Sequence, residues 1–108
     1  MRTREDVITK ALRLIGHTAV DETPDADAAA DAIDTFDGLT VQFQEHVPGD
    51  GFWSNIPERV YLPMAHLVAA TVAPNYNLQA PMSREMAMSL IMAQLRPDDR
   101  DETEAVYY

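Results

Sequence analysis

The chain has 108 residues and a formal net charge of −10, and 46% of it is hydrophobic. That is enough for one core and too little for two. It has no cysteine, which excludes disulfides and cysteine-based zinc or redox chemistry. Such an acidic chain repels nucleic-acid phosphate, which argues against a DNA- or RNA-binding module.

The N-terminus, MRTRED, is charged and lacks the apolar stretch of a signal peptide. The first helix is predicted over Arg4 to Ile15. Thr3-x-x-Asp6 has the spacing of a capping box, with Asp in place of the usual Glu. Val7, Ile8, Ala11, Leu12, Leu14 and Ile15 recur at helical spacing. Gly16 stands where a glycine closes a helix.

A connector, His17 to Thr23, leads to Thr23-Pro24-Asp25, which reads as a cap, a first-turn proline and a first-turn acid. The second helix is expected from Pro24 to Glu45. Its apolar face would be Ala29, Ile33, Phe36, Thr40 and Phe43, widened by Leu39 and Val47. Between Asp21 and Asp50 lie nine acids and no Lys or Arg. Gly38 costs this helix about 1 kcal/mol relative to Ala, and close approach of a neighbouring helix would explain it.

Residues 47–57, VPGDGFWSNIP, read as a flexible loop holding Phe52, Trp53 and Ile56. Large apolar residues in such a loop either fold back on the domain or meet a partner.

Tyr61 to Ala80 contains the most apolar run, in which only His66 and Thr71 are polar between Leu62 and Val72. A helix here would be buried on most sides, and Pro74 would stop it. The run is about a dozen residues, too short to span a membrane. Pro63 either interrupts this helix or starts it. Ser83 caps a fourth helix that ends near Arg96, before Pro97. Its expected core face is Met86, Leu90, Ala93 and Gln94, extended by Ala87, Ile91 and Leu95. Met88 falls off that face.

The last stretch, PDDRDETEAVYY, carries five acids and ends in Val106-Tyr107-Tyr108. Charge this dense implies an acidic tail disordered in isolation, over 97–108, behind a helical bundle domain over 1–96. Its tip either docks on a partner or frays. The fold class expected is all-α: a small bundle of about four helices.

Chemistry has little to stand on. His17, His46 and His66 lack metal-ligand spacing, and Asp25, Asp27 and Asp31 lack the glycine and closing Glu of a calcium loop. His66 reads as a core or interface histidine with one hydrogen-bond partner. There is no phosphate-cradling glycine loop, no GxSxG and no Cys nucleophile. The expectation is a non-enzyme that takes no metal or cofactor.

One pattern has identifying value. Ala11-Leu12-Arg13-x-x-Gly16 closes the first helix, and an acidic helix follows. An Ala-rich helix then runs into Ala73-Pro74-Asn75-Tyr76-Asn77-Leu78-Gln79-Ala80. The series, over roughly Thr3 to Leu95, resembles the head-to-tail adaptor proteins of tailed bacteriophages, in particular the tail accessory factor family of short-tailed phages. The resemblance implies a small helical bundle in the virion neck, one subunit of a ring of about twelve copies. Its partners would be the portal protein, neighbouring adaptor subunits and a downstream tail or stopper protein. DNA would pass through without specific binding. No membrane is implied, and prophages and gene-transfer particles share the architecture. The extension beyond the bundle is short for the family. On this reading Phe52, Trp53, Met88, Val106, Tyr107 and Tyr108 are interface candidates. Asp27, Asp31 and Asp34 are the candidate channel-facing acids. The rival reading is a small acidic binding module, a regulator or DNA-mimic inhibitor, working through the acidic helix from Asp25 to Asp37.

Overall fold

The computed structural model describes residues 2–47 and 51–95. Those residues form four α-helices and no strand: α1 (Arg4–Leu14), α2 (Ala26–Val41), α3 (Glu58–Val72) and α4 (Arg84–Gln94). The all-α expectation holds.

Helix α1 forms as its end signals require. The Thr3 hydroxyl accepts from the Asp6 N–H (3.3 Å) and the Asp6 carboxylate accepts from the Thr3 N–H (3.0 Å). Two orphan donors are thereby satisfied. At the other end Gly16 sits at φ +81°. The Gly16 N–H donates to the Arg13 carbonyl and the His17 N–H to the Leu12 carbonyl. That is the Schellman pattern, which needs a left-handed residue where glycine stands.

Helix α2 is shorter than expected. Its N-cap is Asp25, whose carboxylate accepts from the Ala28 N–H (3.3 Å); Thr23 and Pro24 stay outside. Asp outranks Thr as a cap, which accounts for the shift. At the far end the Gln42 and Phe43 N–H groups donate to Leu39 and Thr40, three residues back. The chain thus tightens into a 3-10 turn, Gln44–His46, instead of running on to Glu45. The buried stripe is Ala28, Ala32, Phe36 and Leu39, with Phe43 beyond the helix; Ala29 and Ile33 are only half-buried. Gly38 is exposed, and a Cβ there would meet nothing within 4 Å. No helix approaches it.

Helix α3 is the hub, packed against α1, α2 and α4. Val60, Met64, Ala65, Leu67, Val68, Ala69 and Val72 are all 0% exposed. The helix is buried on most sides, as expected, with Leu62, at 44% exposure, as the exception. The helix runs unbroken through Pro63, neither interrupted nor started by it. Proline there removes one intrahelical donor; packing on three sides holds the helix. Its entry is tied to the N-terminus: the Ile56 N–H donates to the Arg2 carbonyl (2.8 Å), and the Arg2 guanidinium meets Glu58 (2.6 Å) and lies 4.2 Å from the Tyr61 ring centroid.

Helix α4 is capped by Ser83, as expected, and packs chiefly on α3. Its orientation differs from expectation. Ala87 and Ile91 are buried at 0% exposure, flanked by Met88, Met92 and Leu95, whereas Met86 is 56% and Leu90 37% exposed. The helix is apolar on nearly every side, so periodicity alone could not choose its inner face. A helix at the edge of the bundle buries only the stripe that meets its one large neighbour.

Candidate functional site

Three surfaces carry the residues singled out by sequence: the turn after α3, the outer face of α2 and the segment before α3.

The turn is Ala73-Pro74-Asn75-Tyr76, a 3-10 helix that continues α3. Pro74 falls at its start, where no N–H is required. Asn77 closes it at φ 58° and ψ 36°, and the Leu78 N–H reaches the Ala73 carbonyl (3.0 Å). Asn tolerates the left-handed conformation better than other side chains with a Cβ. The turn is clamped from two sides. The Tyr76 hydroxyl donates to Asp31 Oδ2 (3.1 Å), and the Asn75 amide donates to the same oxygen (3.5 Å). The His17 ring lies 4.4 Å from the Tyr76 ring, tilted by 47°. Burial first, and then the bond to Asp31, raise the Tyr76 pKa above the ordinary phenol value. This A-P-N-Y turn therefore ties the end of α3 to α2 and to the α1–α2 connector.

The clamp makes a testable claim. Asp31→Ala and Tyr76→Phe should each cost about 1 kcal/mol, the net worth of a partly exposed bond to a carboxylate. A double-mutant cycle by urea denaturation should return most of that as coupling. Additive losses would mean that the bond adds nothing in solution.

The clamp also changes the acidic face. Asp31 is half-buried and engaged. Asp25 is a cap and Asp37 accepts from Arg4 of α1 (3.1 Å). Asp27 and Asp34 are exposed, with no side-chain partner among the described residues. Of the three candidate channel-facing acids, two remain free, seven residues apart along one side of α2.

Phe52 and Trp53 fold back. They form a 3-10 turn, Phe52–Ser54, and both pack partly buried against the core. The Trp53 ring meets Phe36 edge-on (5.9 Å, 90°), Phe52 edge-on (4.8 Å) and Phe43 at 6.3 Å. Ile56 is 1% exposed. The buried Trp53 Nε1 finds no acceptor among the described residues. Beside this aromatic group lies a cavity of about 390 Å³ that also touches Thr3, Arg4 and Thr40. Phe52 and Trp53 thus pack on the domain while each stays partly exposed. Met88 is half-buried and packs against the core. Val106, Tyr107 and Tyr108 lie outside the described residues.

The residues that sequence reasoning missed are Met86 and Leu90, assigned to the core and found on the surface. The usable signal was Ala87 with Ile91: a small residue one turn from a β-branched one suits close packing on an Ala-rich neighbour. His66 also differs from expectation. Its Nδ1 is buried and has no partner among the described residues. Burial first, and then Lys10, hold the His66 pKa below the ordinary imidazole value and favour the neutral ring.

Among the described residues no three His, Cys, Asp or Glu side chains gather to hold a metal, and no helix is long and apolar enough to cross a membrane. No family model, curated protein or solved structure matches the chain.

Proposed function

We propose that the chain is a structural virion protein, a head-to-tail adaptor subunit that joins a ring below the portal, extends the DNA channel and connects capsid to tail. The observation that carries this reading is the A-P-N-Y turn, set at the end of an Ala-rich central helix and held by Asp31 of the acidic helix. A turn of this kind, fixed to two neighbours, keeps a four-helix subunit rigid enough to tile a ring, whose heterologous interfaces must close. Asp27 and Asp34 would face the channel and repel DNA phosphate. The portal protein, neighbouring adaptor subunits and a downstream tail or stopper protein are the partners, and the neck of the virion is the location. No catalytic role is assigned.

The rival reading, an acidic DNA-mimic module, draws less support. Among the described residues, Asp27 and Asp34 are the acids of α2 without a side-chain partner, a sparse substitute for the charge of one phosphate per strand every 3.4 Å or so.

The deciding experiment is electron microscopy of purified particles carrying a tagged copy of this protein. Density for the tag in a ring between portal and tail is expected. Particles whose neck ring lacks it would overturn the assignment.

A further inference from the structure

The adaptor assignment makes no use of the cavity beside Trp53. That cavity holds about 390 Å³ and lies between the start of α1, α2 and the turn Phe52–Ser54, with Arg4, Glu5, Phe36, Asp37, Trp53 and Ser54 among its walls. Its volume is within the range of ligand pockets and is room for about a dozen waters at ~30 Å³ each. The walls carry two unmet needs of opposite kind. One is negative charge. The Arg4 guanidinium lies 3.1 and 3.2 Å from the two Asp37 oxygens and 3.6 Å from Glu5. One cation between two carboxylates leaves a surplus of one negative charge. The other is an unfilled donor. Trp53 Nε1 is buried without an acceptor among the described residues, a state that costs free energy until an acceptor is supplied. The first backbone N–H groups of α1, which starts at the same cavity, lack intrahelical partners as well.

We infer that this cavity is a socket for a basic residue, an arginine or lysine, of a protein segment. Such a residue joins the two groups that the walls lack. Its side chain brings a cation to Glu5 and Asp37, and its backbone brings a carbonyl to Trp53 Nε1. The Phe36 and Trp53 rings, edge-on at 5.9 Å, add aromatic surface on which a guanidinium or an alkyl stem packs. A lone anion meets the donors but is repelled by the surplus carboxylate. A bare metal ion leaves the indole N–H unmet. The field of the whole chain has the same sign, since a protein at −10 draws cations toward it. Two sources offer the residue. One is a second copy, through Arg59, which is exposed and has no ion pair among the described residues. The other is a different protein. The inference goes beyond the adaptor assignment and does not depend on it.

The test is amide NMR of the full chain titrated with N-acetyl-L-argininamide, a probe with one guanidinium and two carbonyls. Trp53 is the only tryptophan, so its indole N–H gives a single signal. That signal and the amides of Arg4, Glu5 and Asp37 should shift saturably, with a Kd of roughly millimolar for a probe of about fifteen atoms. Asp37→Asn should weaken binding about fivefold or more, and Glu5→Gln should act in the same direction. Trp53→Phe, followed at the Arg4 and Asp37 amides, should weaken it about threefold. Asp27→Asn removes the same charge from an exposed acid outside the cavity and should leave binding unchanged. N-acetylglycinamide, which has the carbonyls and no cation, should produce no saturable shift. Dilution of the free chain separates the sources. An indole shift that changes over a hundredfold dilution, and no longer does so in Arg59→Ala, assigns the socket to a second copy; a constant shift assigns it to a different protein. No saturable response to the arginine probe, an equal response to acetate, or equal weakening by Asp27→Asn and Asp37→Asn would overturn the inference.

Discussion

Phe36→Ala should destabilise the protein by about 3–5 kcal/mol, the range for truncating a buried aromatic. Phe36 is 2% exposed, lies on the inner stripe of α2 and receives the edge of Trp53. Its removal deletes transfer energy and leaves a cavity whose walls, α1 and α3, are helices that cannot collapse freely. A domain of this size holds roughly 5–15 kcal/mol in total, so the loss takes a large share of it. The melting temperature should fall by about 15–30 °C. Thermal and urea melts followed by circular dichroism measure this. Val41→Ala, on the same helix but 69% exposed, is the control and should stay within about 0.5 kcal/mol. A loss below about 1 kcal/mol at Phe36 would refute the packing described.

Trp53→Ala should cost about 2–4 kcal/mol, somewhat less than a fully buried aromatic because the residue is only partly buried. Part of that cost is shared with Phe36: the T-shaped pair should show about 0.5–1.5 kcal/mol of coupling in a double-mutant cycle. Trp53→Phe should be milder. It keeps an aromatic ring and deletes the buried indole N–H that has no acceptor among the described residues. Trp53 is the only tryptophan, so its emission reports directly on the site and should be blue-shifted in the folded wild type. This experiment also separates two roles for the loop. A core residue changes stability when truncated; an interface anchor leaves stability intact and weakens assembly. A stable Trp53→Ala protein that fails only in assembly would restore the interface reading.

Both predictions rest on a contact that the sequence could pose only as a choice. Phe52 and Trp53 sit between glycines and prolines, and composition does not say which way such a loop turns. The ring positions are settled by Phe36 and Phe43, distant in sequence, which offer the edge-on geometry that aromatic quadrupoles prefer. The acidic helix is similar. Its charge was plain from the residues, but the division into engaged and free carboxylates was not. Asp31 pairs with Tyr76 and Asp37 with Arg4, across 45 and 33 residues respectively.

What the residues determined alone was local. Thr3, Gly16 and Ser83 marked helix ends correctly, because caps and left-handed turns are settled within a few residues of chain. The uniformly apolar run through Val72 had to be central, because no other position hides every side of a helix. The tertiary structure decided which faces were spent. It turned Ala87 and Ile91 of α4 inward and left Met86 and Leu90 outside, and it bound the A-P-N-Y turn to Asp31. Those outcomes depend on shape and partners far along the chain. A helix with apolar residues all round carries no internal signal of which stripe its neighbour will cover.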